Sequence, residues 1–166
     1  MSAKNSPASG EVLITRDFSV ACDRLFEAWS SRENLVRWFA PTGCEIAFRK
    51  FDFTVGGTYL SCISVPANGF ECWCVGTYLE IVPGRRIAYT MAVADEAGNI
   101  ADPIAKGMDP AWPQQTIVTI TFEPIAGGTR LTLHQTVDEA LAKKTGAHPS
   151  WLSMLENLSD LVAARS

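Results

Sequence analysis

The densest group of chemically reactive side chains in this sequence is Cys72-Trp73-Cys74, in which two thiols flank an indole. In a β-strand, residues i and i+2 lie on the same face, so both thiols are expected to point the same way. Zinc usually takes four ligands, with paired cysteines at a wider spacing, and no second pair or neighbouring histidine is present. We therefore expect free, buried or half-buried thiols here and no metal site.

Two histidines, His134 and His148, are the residues best suited to proton transfer near neutral pH. Alternation along its predicted strand turns His134 toward solvent. His148 precedes Pro149 at the start of the last helix, near the rim of the expected pocket, and is the better candidate for a general acid or base. The sequence has no nucleophile elbow, P-loop or dinucleotide fingerprint. We assign no catalytic residue, and whether the protein is an enzyme stays open.

Aromatic side chains are the more informative set, because they offer large apolar area, and tyrosine and tryptophan add a polar group. Any single one of them is best explained as core. Taken together, several are expected to line a ligand cavity between a curved sheet and a helix. The predicted ligand-binding residues are Trp38, Phe39, Tyr59, Trp73, Tyr89, Met91, Trp112, Trp151 and Leu155.

The clearest element that could position these side chains is an amphipathic helix over residues 149–164. At about 100° per residue, its apolar side chains fall within an arc of about 120°. The stripe consists of Trp151, Met154, Leu155, Leu158, Leu161 and Val162. Because nearly everything between residues 11 and 137 has the pattern of strands, this stripe is expected to cover the inner face of an antiparallel sheet.

Alternating apolar residues predict seven strands between residues 11 and 137, in a meander separated by turns. The turn signals are Gly56-Gly57, Asn68-Gly69, Pro83-Gly84 and Gly127-Gly128. Two short helices are expected between strands one and two, and Ser30 with Glu33 has the spacing of a capping box for the second. The segment Asp95–Gln114 lacks a sustained period and is expected to form a long loop, with Trp112 in a lid.

The same alternation predicts which side chains of each strand face the helix. In strand four they are Trp73, Val75, Leu79 and Ile81, and in strand five Ile87, Tyr89, Met91 and Val93. In the last two strands they are Val118, Ile120, Phe122, Leu131 and Leu133. The opposite face of these two strands carries threonines and His134, so one side of the sheet is expected to face water.

Length and composition restrict the class of protein. A chain of 166 residues suits one domain, which we place at residues 11–166, after a frayed N-terminus at residues 1–10. The net charge of −4 argues against a nucleic-acid partner, and no apolar run is long enough for a membrane span. Five cysteines and an N-terminus without an apolar signal segment predict a cytoplasmic protein with reduced thiols.

Several segments, in order along the chain, resemble the single-domain branch related to activators of the Hsp90 ATPase. They are Ile14–Trp38, Asp52 with Val55–Tyr59, Gly76–Pro83, Gly128–Leu133 and Trp151. The resemblance implies the α+β helix-grip fold of the SRPBCC superfamily, a seven-stranded curved antiparallel sheet around a long C-terminal helix, with two short helices between strands one and two. Ser150, where the family commonly has glycine, and Met91, where an aromatic is common, depart from the pattern and affect the expected cavity shape.

Three functions stay open at this point. Members of the superfamily mostly hold apolar molecules, so the first is binding of a small hydrophobic or aromatic ligand between the sheet and the C-terminal helix. The second is a chaperone-interacting co-factor, since one eukaryotic branch binds a chaperone. The third is an enzyme of cyclase or hydrolase type that uses the same cavity. No cofactor is expected, and a monomer and a homodimer both fit the sequence.

Overall fold

The computed structural model describes residues 10–164, in which one strand and two short helices precede six consecutive strands and two final helices. In chain order they are β1 (Glu11–Phe18), α1 (Cys22–Glu27), α2 (Arg32–Trp38), β2 (Glu45–Phe51), β3 (Thr58–Val65), β4 (Phe70–Val82), β5 (Arg86–Ala94), β6 (Thr116–Ile125), β7 (Gly128–Asp138), α3 (Glu139–Thr145) and α4 (Ala147–Ala164). The predicted frayed N-terminus lies outside the described residues except for Gly10, whose carbonyl accepts a hydrogen bond from the Glu139 backbone N–H (2.6 Å).

One seven-stranded antiparallel sheet has the strand order β1-β7-β6-β5-β4-β3-β2. Strands β1 and β2 are neighbours in sequence but occupy opposite edges, so the chain between them must cross the width of the sheet. Helices α1 and α2 lie in this crossing and put Leu25, Leu35 and Trp38 into the core. The curved sheet, the two short helices and the long C-terminal helix confirm the predicted α+β helix-grip fold.

Helix α4 buries the predicted stripe. Trp151, Leu155 and Leu158 are among its fully or almost fully buried side chains and join the inner faces of β6 and β7 in the core. The predicted inner residues of β6 and β7, from Val118 to Leu133, are likewise buried. No helix within residues 10–164 combines the length and the hydropathy needed to cross a membrane.

Two helix starts differ from the sequence predictions. Helix α2 is capped by Ser31, whose hydroxyl accepts a hydrogen bond from the Asn34 backbone N–H (3.2 Å), and the predicted cap at Ser30 is therefore wrong. Helix α3 was not predicted, although Asp138 caps it through the Leu141 N–H (3.0 Å). It ends at Gly146, which has a left-handed φ of 91° that glycine adopts readily.

The predicted faces of strand β4 are wrong for most of its side chains. Trp73, Val75 and Leu79 lie on the outer face, where the exposed Arg49 guanidinium stacks over the Trp73 ring (4.7 Å) and Leu79 is 45% exposed. Cys74 and Tyr78 face the interior instead. Both faces of this strand carry apolar residues, so alternation could not choose between them. A β-bulge between Tyr78 and Glu80 then shifts the pattern, and Ile81 packs against the core as predicted.

Candidate ligand-binding cavity

A small apolar cavity of about 50 Å³ lies between strands β2 to β5 and the segment that contains α1 and α2. Strands β3, β4 and β5 supply its floor, while the chain from Trp29 to Phe39 supplies its cover. Its walls are formed by Trp29, Leu35, Phe39, Phe48, Tyr59, Ser61, Ile63, Cys74, Tyr78, Ile87, Tyr89 and Met91. Among the described residues, its walls include no side chain of α4, so the cavity lies beside the predicted position and not directly under the C-terminal helix.

Four of the nine predicted ligand-binding residues meet in the cavity walls: Phe39, Tyr59, Tyr89 and Met91. Tyr59 comes from β3, Tyr89 and Met91 share the inner face of β5, and Phe39 ends helix α2. The alternation of β5 predicted an inward face for Tyr89 and Met91, and both side chains line the cavity.

The other five predicted residues lie elsewhere. Trp38, Trp151 and Leu155 are buried in the core behind the walls. Trp73 lines a separate cleft, and Trp112 is half-buried against the core in the long loop, outside the cavity walls.

A chain of aromatic contacts connects the cavity cover to the C-terminal helix. The Trp29 and Trp38 ring centroids lie 4.6 Å apart, those of Trp38 and Phe39 lie 5.1 Å apart, and those of Phe39 and Trp151 lie 5.8 Å apart. All three contacts are edge-to-face, which is a favourable arrangement for aromatic rings. Phe39 is thus the side chain that joins the cavity to α4.

Three tyrosines cluster on the cavity floor. The ring centroids of Tyr59, Tyr78 and Tyr89 are 5.8 to 5.9 Å apart, and Tyr59 Oη donates a hydrogen bond to the Thr90 carbonyl (3.0 Å). Burial raises the pKa of each of these three hydroxyls well above the ordinary value, because the phenolate would lose its hydration. The three side chains are therefore uncharged hydrogen-bonding groups at any physiological pH.

Glycine at position 76 allows the floor to form. A Cβ atom placed there would collide with the Thr90 carbonyl oxygen and with the Tyr59 ring. The tyrosine ring can therefore lie flat against the β4 backbone because this residue has no side chain. This close approach keeps Tyr59 in the cavity wall.

Cysteines 72 and 74 lie on the same face of β4, as predicted, but in different surroundings. Cys74 lines the cavity, whereas Cys72 lines the neighbouring cleft. A hydrogen bond with Cys74, assisted by the Lys106 ammonium, lowers the pKa of Cys72 to about 7, while the same bond and burial raise the pKa of Cys74. All five cysteines of the chain are free thiols.

An open cleft of about 540 Å³ lies at the ends of β4 and β5, next to the long loop. Its walls include the charged side chains of Glu71, Lys106, Asp109 and Lys144. The Ala111 backbone N–H and the Lys144 ammonium (3.1 Å) hold the pKa of Asp109 below its usual value. This cleft is larger than the cavity, but the walls of the cavity carry no charged side chain and are therefore better suited to an apolar ligand.

The two histidines lie away from the cavity walls. His134 Nε2 is 2.7 Å from the Glu11 carboxylate on the outer face of the sheet, and His148 Nε2 is 3.8 Å from Glu139. The cavity walls contain no carboxylate, histidine or lysine among the residues the structure describes. Over the same residues, no group of three or more histidine, cysteine or carboxylate side chains could hold a metal ion.

Eight of the twelve wall residues are not among the predicted ligand-binding residues, and Trp29, Ser61 and Tyr78 are three of them. Trp29 follows helix α1, in the crossing between β1 and β2. Tyr78 was missed because the faces of β4 were exchanged, and Ser61 is a buried polar residue of strand β3. Cys74, Gly76 and Tyr78 alternate along β4, and this alternation was the sequence signal for its inner face.

A curved antiparallel sheet that holds a long C-terminal helix, with a cavity beside it, defines a protein of the SRPBCC superfamily. The model of the family described as Activator of Hsp90 ATPase homolog 1-like protein matches residues 19–163, and the chain belongs to this family. No curated protein matches the chain.

Solved bacterial structures share the fold. A crystal structure of a Chromobacterium violaceum protein is 27% identical, with a TM-score of 0.75, over 92% of this chain and 96% of that one. A solution structure from Arthrobacter aurescens has a TM-score of 0.79 at 20% identity, over 94% of this chain and 87% of that one. A Silicibacter pomeroyi protein described as AHSA1 has a TM-score of 0.74 at 20% identity, over 94% and 99%.

Proposed function

We propose that the protein binds a compact hydrophobic or aromatic molecule in the cavity walled by Phe39, Tyr59, Tyr89 and Met91. The observation that carries this proposal is an apolar cavity, lined largely by aromatic side chains, beside a closely packed core. Burying a small ring there would gain about 25 cal/mol for each Å² of apolar surface removed from water.

The present size of the cavity requires that it expands when a ring enters. A space of about 50 Å³ is smaller than the roughly 150 Å³ that accommodates benzene in a protein core. Met91 and Phe39 are half-buried wall residues, and the unbranched methionine side chain can change rotamer at low cost. We therefore expect Met91 to move first, and Phe39 to transmit the change to Trp151.

Quenching of tryptophan fluorescence by bromobenzene tests this proposal, because Trp29 lies in the wall. We expect saturable quenching for the full chain and its loss in Cys74→Leu, which fills the cavity with a larger side chain. Cys44→Leu is the matched control, since Cys44 is half-buried outside the cavity walls. Quenching that is linear in bromobenzene, or equal in both variants, would exclude ligand binding at this site.

We also propose a domain organisation and a cellular location for the chain. Residues 11–166 are proposed to be a single domain that works in the cytoplasm, where free thiols persist. A homodimer is tested by light scattering of the purified chain.

Chaperone interaction and cyclase- or hydrolase-type catalysis rest on the family resemblance. No wall residue within the described part of the chain adds a carboxylate, histidine or lysine that would support catalysis.

A further inference from the structure

Two buried polar atoms in the cavity walls have no hydrogen-bond partner. They are the Trp29 indole nitrogen Nε1 and the Tyr89 hydroxyl oxygen Oη, and they are the buried side-chain atoms without a partner among the described residues. Both residues are at least nine-tenths buried. Buried polar groups are normally paired, because burial without a partner forfeits their hydrogen bonds to water.

Other buried groups of the same kinds are paired. The Trp38 indole N–H donates to the Ala28 carbonyl (2.9 Å), the Trp151 indole N–H donates to Gln135 Oε1 (2.9 Å), and the Tyr59 hydroxyl donates to the Thr90 carbonyl (3.0 Å). The indole N–H groups of Trp38 and Trp151, outside the cavity walls, are therefore paired, and so is one phenol of the walls, that of Tyr59. The two unpaired groups both belong to residues that line the cavity.

The chemistry of the two groups restricts what could pair with them. An indole N–H is only a donor, and a neutral phenol can donate one hydrogen bond. Burial keeps the Tyr89 hydroxyl protonated, because it raises the pKa of that group. A partner must therefore supply an acceptor, such as a carbonyl or ether oxygen. It must also be uncharged, because the walls hold no cation that could compensate a buried carboxylate.

We infer that the ligand is an uncharged apolar or aromatic molecule that carries an oxygen acceptor, which the Trp29 N–H and the Tyr89 O–H recognise. This inference rests on the proposed function, since it names the class of ligand for the same cavity. The apolar walls supply affinity for the body of the ligand, while the two donors fix its orientation.

Two probes of nearly the same shape separate the inference from the proposed function. Acetophenone has a carbonyl where α-methylstyrene has a CH₂ group, so the ratio of their dissociation constants isolates the contribution of the oxygen. The ratio is measured by isothermal titration calorimetry on the full chain and its variants. Comparing ratios between variants cancels the different hydrophobicity of the two probes.

In Tyr89→Phe and Trp29→Phe, we expect the preference for acetophenone over α-methylstyrene to fall about tenfold, as the loss of one hydrogen bond implies. Trp38→Phe is the matched control, because its indole N–H is already paired and lies outside the cavity walls. The ratio should be unchanged there.

The outcomes are distinguishable. If both probes bind and the ratio is the same in all variants, the oxygen is not recognised and the inference is overturned, while the proposed function stands. If neither probe binds, the proposed function fails and the inference fails with it. A fall in the ratio confined to Tyr89→Phe and Trp29→Phe supports both.

Discussion

The two halves of the protein interior are filled differently. Where β1, β6 and β7 meet α4, the side chains of Val12, Leu131, Leu133, Leu155 and Leu158 have no exposed surface. Where β2 to β5 meet α1 and α2, aromatic rings line an apolar cavity, and two of the lining residues carry an unpaired polar atom. The first half follows the rules of a stable core, and the second departs from them, as binding sites commonly do.

The fully buried core and the proposed binding cavity therefore lie on different strands of one sheet. The C-terminal helix, which looks like the ligand-binding element in the sequence, belongs to the solid half. Its connection to the cavity runs through Phe39, which touches Trp151. Matched substitutions in the two halves can therefore test whether the division is real.

The largest difference is expected between two leucine truncations. Leu155→Ala, in the solid half, should lower the free energy of unfolding by about 4 kcal/mol, because a fully buried leucine leaves a new cavity. Leu35→Ala, in a cavity wall, should cost about 2 kcal/mol, because part of the side chain already faces empty space. Urea unfolding followed by circular dichroism measures both values. Equal losses would contradict the division into two halves.

A second pair compares tryptophans. Trp151→Phe should lower the free energy of unfolding by about 2 kcal/mol or more, because it leaves the buried Gln135 carbonyl oxygen without its donor. Trp29→Phe removes an N–H that has no partner, so only packing is lost and the cost should be smaller. The measurement is again urea unfolding. A larger loss for Trp29→Phe would show that its indole N–H is paired in solution.

A third pair compares two tyrosines of the cavity floor. Tyr59→Phe should cost about 1 kcal/mol, because its hydroxyl donates to the Thr90 carbonyl. Tyr89→Phe removes a buried hydroxyl without a partner and should leave the free energy of unfolding unchanged or raise it. Thermal unfolding of both variants at one pH checks the sign. A clear destabilisation by Tyr89→Phe would indicate that internal water pairs with this hydroxyl.

The smallest expected effect is on the reactivity of one thiol. The pKa of Cys72 is lowered to about 7, so half of this thiol is thiolate near pH 7, and iodoacetamide should alkylate it with a midpoint near that pH. Cys74→Ala removes the hydrogen bond that lowers this pKa, and the midpoint should then rise toward the ordinary thiol value. Mass spectrometry of the digested protein gives the alkylation rate of Cys72 relative to the rates of Cys22 and Cys44. A midpoint that Cys74→Ala leaves in place would contradict the hydrogen-bonded pair.

The sequence predicted the elements of this fold better than the composition of its cavity. Helix α4 and strands β5 to β7 have one apolar and one polar or less apolar face, and a pattern with a single apolar face determines which side is buried. Strand β4 is apolar on both faces, so its pattern did not determine which face is buried. Trp73 and Val75 were predicted to face inward, whereas Cys74 and Tyr78 do so in the structure.

The cavity itself depends on distances that no periodic pattern contains. Trp151 and Leu155 were predicted to contact a ligand because they face the sheet, yet side chains of β6 and β7 fill the space there. Trp29 borders the cavity because the crossing between β1 and β2 carries it over β3 to β5. Whether a tryptophan fills a core or lines a void is decided by its neighbours in three dimensions.

Methyl resonances of the methionines give the most direct test of the central claim, that an apolar ligand occupies the half covered by α1 and α2. Met91 lies in the cavity wall, Met154 lies in the solid half, and Met108 lines the open cleft. When ¹³C-methyl-labelled protein is titrated with α-methylstyrene, we expect a saturable change in the chemical shift of the Met91 methyl group. We expect no comparable change for Met154 or Met108. A shift confined to Met108, or no saturable shift at Met91, would contradict it.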